Sequence, residues 1–271
     1  MYVYVYDNKE KDVGGKYLNK LTDLLDAKQV SFKILTDEDL LGEGKADAIF
    51  VLGGDGTILW LVEFANRNDI PLIGINIGKL GFLSEFDSCD IEGAVNALCD
   101  NGLVLDERMT LKVSFNDKVY YSLNDAFINR VYNNNLGYMT VEVKVVIGDK
   151  AVQSFKGDGV IVCSPTGSTA YSLSAGGPVV SPEIDAFCIT PIAAHAFSQR
   201  AIVCSSKNGC EISLTGRAPA NLFVDGKLVS EINKGEIVKI EKAEKPTMFL
   251  RKPNFDFYKR LDEKFKFNCG R

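Results

Sequence analysis

Hydrophobic positions in the first hundred residues switch between two periods. Tyr2 to Asp7 alternates valine with tyrosine, a period of two that predicts a strand. Gly14 to Lys28 carries Leu18, Leu21, Leu24 and Leu25 at helical spacing, and Ser31 to Leu35 predicts a second strand. An unbroken apolar run from Ala46 to Leu52 then leads into a glycine-rich turn, Gly53 to Thr57. A helical stretch from Ile58 to about Asn66 follows, and then a further apolar run from Pro71 to Asn76. Strand, helix and strand at this spacing form a βαβ unit with a parallel pair. Asp90 can cap a helix running to about Cys99, with Gly102 as its stop.

The pattern changes near Met109. Alternating segments, among them Thr140 to Ile147, Val152 to Phe155, Glu211 to Leu214 and Ile237 to Ile240, are joined by the turn pairs Gly148-Asp149 and Asp225-Gly226. Such pairs predict hairpins. One helix, around Ser168 to Ala175, interrupts them, and Asn254 to Lys266 predicts a last helix. The chain therefore divides into an α/β part over residues 1–105, doubly wound, and a mostly β, sandwich-like part over residues 106–250. The tail, about 251–271, is a candidate to pack back on the first part.

Composition narrows the function. With 271 residues, the chain has room for one or two domains at roughly 150 residues each. Lys and Arg total 31 against 36 Asp and Glu, with no basic run longer than two, so neither nucleic acid nor an anionic membrane is an expected partner. Met1 to Asp7 lacks the basic and apolar regions of a signal peptide, which leads to the expectation of a cytoplasmic protein. The uncharged stretch Gly159 to Pro182 holds seven Ser/Thr and three Pro and does not read as a membrane helix. Seven cysteines without a CxxC pair argue for reduced packing residues and against a zinc site. His195 is the only histidine, so any triad or histidine-metal chemistry would have to pass through it.

Four places could carry chemistry. Gly53-Gly54-Asp55-Gly56-Thr57 lies where a buried strand opens into a helix, the ligand-binding end of an α/β sheet. Glycines there admit a phosphate to free backbone amides, and Asp55 could ligate Mg²⁺ or accept a proton from an attacking hydroxyl. A tight turn with Asp55 as its cap is the plainer reading. Neither GxxxxGK[ST] nor GxGxxG occurs, which removes the P-loop and the dehydrogenase fingerprint.

The segment Lys156 to Pro178 is the second place. Between Gly159 and Gln199 only Glu183 and Asp185 are charged, where average composition supplies about ten, so the segment is expected to be largely buried. Ser164, Thr166, Ser168, Thr169, Ser172 and Ser174 suit a neutral base and its ribose, or a helix cap inside a core. Leu123-Asn124-Asp125 offers a carboxamide for an adenine edge and a carboxylate for ribose hydroxyls, or simply a turn. Gly78-Lys79-Leu80-Gly81-Phe82 could place Lys79 near a phosphate and Phe82 on a base, or be a plain loop. His195, among small apolar neighbours, is read as a core residue without chemistry.

Together these residues resemble the NAD kinase family. The matching runs are Gly53 to Thr57, Gly78 to Phe82, Leu123 to Asp125, and Lys156 to Gly159. Further on come Pro165 to Tyr171 with Ala175 to Pro178, then Ile189 to Ile192 leading to His195 and Ser198 to Arg200. Gly-Gly-Asp-Gly alone also occurs in diacylglycerol-type lipid kinases and phosphofructokinases, whereas Pro-Thr-Gly-Ser-Thr-Ala-Tyr after a second Gly-Asp-Gly is far more specific. The resemblance implies an α/β domain plus a β-sandwich domain, assembled as dimers or tetramers. It implies transfer of the γ-phosphoryl of ATP, with Mg²⁺, to the 2′-hydroxyl of the adenosine ribose of NAD. Asp55 then corresponds to the catalytic carboxylate, as base or metal partner. Gly56, Phe82, Asn124, Asp125, Asp158, Thr166, Thr169, Ala170, Tyr171 and Ser174 correspond to NAD contacts, with Asp158 on the nicotinamide side. Gly53, Gly54, Thr57 and Lys79 correspond to phosphate contacts, and with no P-loop lysine the triphosphate is expected to rest on Mg²⁺ and glycine amides.

Three positions depart from the family pattern. Asp125 stands where Glu is usual, Ala194 where many members have Pro, and Gly226 where some have His. Two other readings remain at this stage. A lipid kinase would need an apolar acyl-chain cleft, and a silent NAD(P)-sensing module would bind without ATP turnover.

Overall fold

The computed structural model describes residues 1–79, 81–131, 140–196 and 198–268. Leu80 of the Gly78 to Phe82 loop, Phe197 beside His195, and Cys269 lie outside the described residues. The chain forms two compact units, Met1–Glu107 with Thr247–Arg271, and Arg108–Pro246.

In the first unit, β1 (Tyr2–Asp7), α1 (Lys16–Ala27), β2 (Ser31–Ile34), β3 (Ala48–Gly53), α2 (Asp55–Asn68) and β4 (Leu72–Asn76) alternate as the apolar pattern predicts. A two-residue β5 (Phe86–Asp87), α3 (Ile91–Cys99) and β6 (Val104–Arg108) follow. Every residue of β3 and β4 is buried, as parallel strands covered on both faces require. β1 pairs in parallel with β2 on one side and β3 on the other, and β3 with β4. The winding thus reverses between β1 and β3, and the crevice at their carboxyl ends is the switch point where α/β sheets bind ligands. Asn8 and the Gly53 to Thr57 turn both lie there.

α2 begins at Asp55, earlier than the Ile58 expected from periodicity. Gly54 is its extended N-cap, and the Thr57 hydroxyl accepts from the Gly54 amide at 3.4 Å. A Gly-Asp-Gly opening has low helix propensity, so only this cap geometry reveals the first turn.

The second unit contains β7 (Leu111–Phe115), β8 (Lys118–Ser122), β9 (Asp125–Arg130), β10 (Val141–Ile147), β11 (Lys150–Gly157) and β12 (Gly159–Cys163). After the short α4 (Tyr171–Ser174) come β13 (Ala186–Ile192), β14 (Ile202–Ser205), β15 (Cys210–Leu214), β16 (Ala220–Val224), β17 (Lys227–Ile232) and β18 (Ile237–Lys242). They build two six-stranded sheets, in the orders β11-β10-β15-β18-β7-β8 and β14-β13-β12-β9-β16-β17. Val113, Val143, Ile212 and Ile240 from one sheet join Ile128, Val160, Phe187 and Leu222 from the other in a single core, which makes the unit a sandwich. Both predicted hairpins form: Gly148 turns β10 into β11, and Asp225 and Gly226, at φ 44° and 79°, turn β16 into β17.

β12 is buried at every residue because its two faces meet different partners. Val160 and Val162 enter the sandwich core, while Ile161 and Cys163 point outward beneath Tyr171 and Ala175. The expected helix over Ser168 to Ala175 is instead a 3-10 turn, Thr166–Thr169, and α4, separated by Ala170 at φ −97°, ψ −128°. The structured cover on this outer face is what sets the hydroxyl-rich segment in place.

The tail adds β19 (Thr247–Arg251) and α5 (Phe257–Asn268) to the first unit, with β19 lying between β4 and β6. Its anchor is Arg251, which is 1% exposed. Its Nε meets Asp106 Oδ2 at 2.5 Å and its guanidinium nitrogen meets Glu85 Oε2 at 3.5 Å. Phe249 and Phe255 flank the guanidinium at 4.9 and 4.2 Å. No helix among the described residues is long and apolar enough to cross a membrane. Removing one partner of a buried pair strands the other charge, so Arg251→Ala should cost about 3–5 kcal/mol in urea unfolding. A loss under about 1 kcal/mol would show that the tail is held by apolar packing alone.

Candidate functional site

The first unit places one carboxylate at the mouth of its switch-point crevice. Asp55 is the first residue of α2, and its side chain turns back to the loop before β5. Oδ2 accepts from the Phe82 amide at 2.8 Å and Oδ1 from the Leu83 amide at 3.1 Å. The fit leaves no room beside it: a Cβ at Gly81 would overlap the Asp55 carboxylate. Gly81 is therefore a positioning residue that spacing alone did not single out.

A cleft of about 500 Å³ opens here, lined by Lys11, Gly54, Asp55, Ile77, Gly78, Lys79, Gly81 and Lys264. Lys79, the lysine expected near a phosphate, is joined at this cleft by two that the sequence did not connect to it, Lys11 and Lys264. Lys11 follows β1, Lys79 follows β4, and Lys264 comes from α5, so they gather only when the sheet and tail are assembled. Lys264 Nζ also lies 5.3 Å over the Phe82 ring. The glycines divide their work. Gly53 is buried, and a Cβ there would overlap the Thr57 side chain, so its lack of a side chain serves the strand-to-helix turn and not a ligand's approach. Thr57 is 5% exposed and its hydroxyl accepts from Asn8 Nδ2 at 2.9 Å. Gly56 is exposed at the first turn of α2, with nothing within 4 Å of the place a Cβ would take.

In the second unit the hydroxyls sort into two sets. Ser164, Ser168 and Ser172 are fully buried and bind backbone or one another's surroundings. Ser164 Oγ donates to Leu123 O at 2.5 Å, Ser168 Oγ accepts from the Val180 amide at 2.9 Å, and Ser172 Oγ lies 2.8 Å from Thr190 Oγ1. These three staple the fold. Thr166 is 7% exposed, Thr169, Ala170 and Tyr171 are half-buried, and Ser174 is exposed. The uncharged stretch is therefore not buried throughout. Residues 159–168 and 186–190 are inside, while Ser174, Gly176, Pro178, Glu183 to Asp185 and, further on, Ala193, His195, Ala196 and Ser198 are exposed.

Asn124 stands against the same turn. A Cβ at Gly167 would overlap the Asn124 carbonyl, so only glycine lets the 3-10 turn approach this closely. The Ser164 amide donates to the Asn124 carbonyl at 2.8 Å. The Asn124 carboxamide itself makes no hydrogen bond among the described residues and is half-buried. Tyr171 meets Phe127 edge-on at 4.9 Å, and Phe127 stacks on Phe223 at 4.6 Å, which fixes the tyrosine ring over the sheet. Asp158 pairs with Arg130 Nε at 3.1 Å.

The loop carrying Asn124 and Asp125 is tied by the hairpin-turn residue Asp225. Its Oδ1 accepts from Ser122 Oγ at 2.7 Å and from the amides of Asn124 and Asp125 at 2.8 and 3.2 Å, and Oδ2 from the Leu123 amide at 2.8 Å. Burial pushes the Asp225 carboxyl up, while these donors pull it back, and accepting on both oxygens is the geometry of an anion. Asp125 is 4% exposed beside it, and burial together with that neighbouring charge raises its carboxyl to about 7. Sequence spacing did not connect Asp225 to this loop, which lies a hundred residues earlier.

His195 does not belong to the core. It is exposed, and its amide donates to Lys156 O at 2.9 Å. Ala193, at φ 45°, bends the chain just past β13, so the small neighbours mark a surface turn.

Sequence profiles of known families match most of the chain. The ATP-NAD kinase N-terminal domain matches residues 4–103, and the ATP-NAD kinase C-terminal domain matches residues 123–252. An NAD kinase of Caldicellulosiruptor saccharolyticus is 32% identical over 267 residues, 98% of this chain and 100% of that protein. One from Clostridium kluyveri is 33% identical over 274 residues, 97% of this chain and 94% of that protein. Among solved structures, an Archaeoglobus fulgidus NAD kinase in complex with ATP superposes with a TM-score of 0.79 at 25% identity, covering 98% of each chain. Yeast NADH kinase complexed with NADH shares the fold, with a TM-score of 0.86 at 22% identity over 100% of this chain and 89% of that one. The two-unit fold, the anchored Asp55 and these matches converge, and the chain belongs to the NAD kinase family.

Proposed function

We propose that the protein transfers the γ-phosphoryl group of ATP to the 2′-hydroxyl of the adenosine ribose of NAD, forming NADP and ADP. The observation that carries this reading is a cleft in which one carboxylate, fixed by two backbone amides, sits among three lysines. Lys11, Lys79 and Lys264 meet the negative phosphate oxygens, with the Gly54 and Gly56 backbone at the positive end of α2. Asp55 takes the proton of the attacking hydroxyl as its oxygen bonds to the γ-phosphorus and the bond to the β-phosphate oxygen breaks. Gly53 and Thr57 shape the turn that holds this end of the helix. The two amides that grip Asp55 orient it, leaving further lone pairs on the same oxygens for the proton.

Mg²⁺ fits this site as a companion of the triphosphate. Among the described residues no group of three or more His, Cys, Asp or Glu could hold a metal, and Asp55 is the one carboxylate lining the cleft. That donor set suits an ion held chiefly by phosphate oxygens and water. When bound, it would neutralise charge on the phosphates. On the dinucleotide, Asn124 reads the adenine edge, Asp125 accepts the ribose hydroxyls, and Thr166, Thr169, Ala170, Tyr171 and Ser174 complete the adenosine contacts. Gly56 and Phe82 also contact NAD, and Asp158, with its charge offset by Arg130, faces the nicotinamide side. The same reading makes the protein a homodimer or homotetramer of the cytoplasm. All six described cysteines are free, in keeping with a reducing compartment.

The direct test incubates the purified protein with NAD, ATP and Mg²⁺ and detects NADP with an NADP-specific dehydrogenase; no NADP would end the proposal. Asp55→Asn should lower kcat about 10²- to 10⁴-fold. Because an amide can replace only one of the two acceptors, unfolding should show a further loss of about 1–3 kcal/mol. A near-normal kcat in the folded variant would remove Asp55 as the base. Tyr171→Ala should raise the KM for NAD more than it lowers kcat, and the opposite split would count against a binding role. Asp125 must be ionised to accept two hydroxyls, and its carboxyl is raised to about 7, so NAD binding should tighten from pH 6 to pH 8. Asp125→Asn should flatten that profile in calorimetric titrations, and an unchanged slope would assign the pH dependence to another group.

A further inference from the structure

The segment from Gly81 to Phe86 decides how Asp55 is seated, and the first unit grips it from two sides. On one side lies β4. The Glu85 amide donates to Gly74 O at 3.0 Å, and a Cβ at Gly74 would overlap both Ile58 of α2 and the Ser84 backbone. Only glycine lets β4 take the helix and the segment so closely together. Leu83 and Ser84 are buried there.

On the other side lies α5. Asp256 caps it, its Oδ1 accepting from the Tyr258 and Lys259 amides at 2.8 and 3.1 Å, which fixes where the first turn starts. Arg260 and Lys264 stand at i and i+4 and so share one face of the helix. The Arg260 guanidinium donates to Ser84 O at 3.4 Å, and Lys264 Nζ lies 5.3 Å over the Phe82 ring, within reach of a cation–π contact. The two contacts bracket Leu83, one falling on residue 82 and the other on residue 84. Phe82 and Leu83 are the residues whose amides hold Asp55.

Charge adds to the grip. The Glu85 side chain is 7% exposed, and burial pushes its carboxyl up while the positive charges of Arg251 and Arg260 oppose the shift. Arg260 therefore meets a carbonyl and a carboxylate of the same short segment. Arg251 is fully buried, whereas Arg260 is half-buried on a helix, and among the described residues it does not line the lysine cleft. Truncating Arg260 thus loosens the segment without opening a hole in the core.

We propose that Arg260 is a positioning residue for phosphoryl transfer. From α5 it holds the segment after Gly81 against β4, so that the Phe82 and Leu83 amides meet both oxygens of Asp55 and keep the carboxylate in the direction in which it takes the proton. That role rests on the phosphoryl-transfer reading given above; the brace itself does not.

Arg260→Ala should lower kcat about 10- to 100-fold, the scale of a small displacement of a catalytic group, with the KM for ATP within about twofold. Arg260→Lys should recover most of the loss, because an ammonium can meet one carbonyl and one carboxylate without the planar fork of a guanidinium. In the full chain without substrates, hydrogen exchange at the Phe82 and Leu83 amides should quicken about five- to tenfold in Arg260→Ala, the scale of one lost hydrogen bond. Exchange in β3 and the urea midpoint should stay as in the unaltered chain. The proposal is overturned if kcat in Arg260→Ala is normal, if the two amides exchange at their original rate, or if Arg260→Lys is no better than Arg260→Ala. It is also overturned if β3 exchange and the urea midpoint change together with the two amides, since the effect is then one of general stability. Exchange reads the brace whether or not NADP forms. An unaltered protein that makes no NADP therefore ends the kinase reading, whereas unchanged amide exchange in an active protein ends the role of Arg260.

Discussion

The constraint on which the site depends is the seating of a single carboxylate. Asp55 opens a helix at the end of a buried strand, and two successive amides, of Phe82 and Leu83, hold both its oxygens. A carboxylate at the positive end of a helix is electrostatically favoured, but a freely rotating one would serve the helix and nothing else. The amide pair removes that freedom. Gly81 must lack a side chain for the loop to come this close, and the loop in turn is set by β4 and β5, so the orientation of one side chain is written into the register of the sheet.

The same economy governs the rest of the first unit. A polyanion needs cations, yet no segment of the chain carries a basic run. The lysines that line the cleft are supplied singly by three loops or helices far apart in sequence, and the tail contributes one of them only because β19 is inserted between β4 and β6. Arg251 anchors that strand with an ion pair to Asp106, so the tail that carries Lys264 is tied to the sheet by a residue outside the cleft. In the second unit the equivalent device is Asp225, which gathers four donors from residues 122–125 and so fixes the loop that presents Asn124.

Sequence reasoning reached the fold because its signals were local. Continuous apolar runs at β3 and β4, alternation at β10, and the Asp225-Gly226 turn are all readable from neighbours in the chain. The short motifs were readable too, since Gly53 to Thr57 and Pro165 to Tyr171 each build one turn. What stayed hidden was set by contacts between distant residues. The pairing of Asp225 with the Asn124 loop, the gathering of Lys11, Lys79 and Lys264, and the inward turn of Ser164, Ser168 and Ser172 depend on which strands are neighbours. His195 departs from the core position expected of it for the opposite reason: small apolar neighbours suit a core strand and a tight surface bend equally well, and the positive φ at Ala193 chooses the bend.

The shorter acid at position 125 is better understood through its neighbour than through its length. With one methylene fewer than glutamate, its carboxyl is kept close to the backbone and to Asp225, and both burial and that anion oppose its ionisation. A buried anion can persist only if donors reach it. A ribose diol would supply two hydroxyl donors at once, whereas a ligand with a single hydroxyl would satisfy one oxygen and leave the other bare. In the proposed reaction the energetic difficulty of ionising Asp125 would turn into discrimination, because a partner with a pair of adjacent hydroxyls, such as the unphosphorylated adenosine ribose of NAD, would favour loss of its proton more than a partner with one.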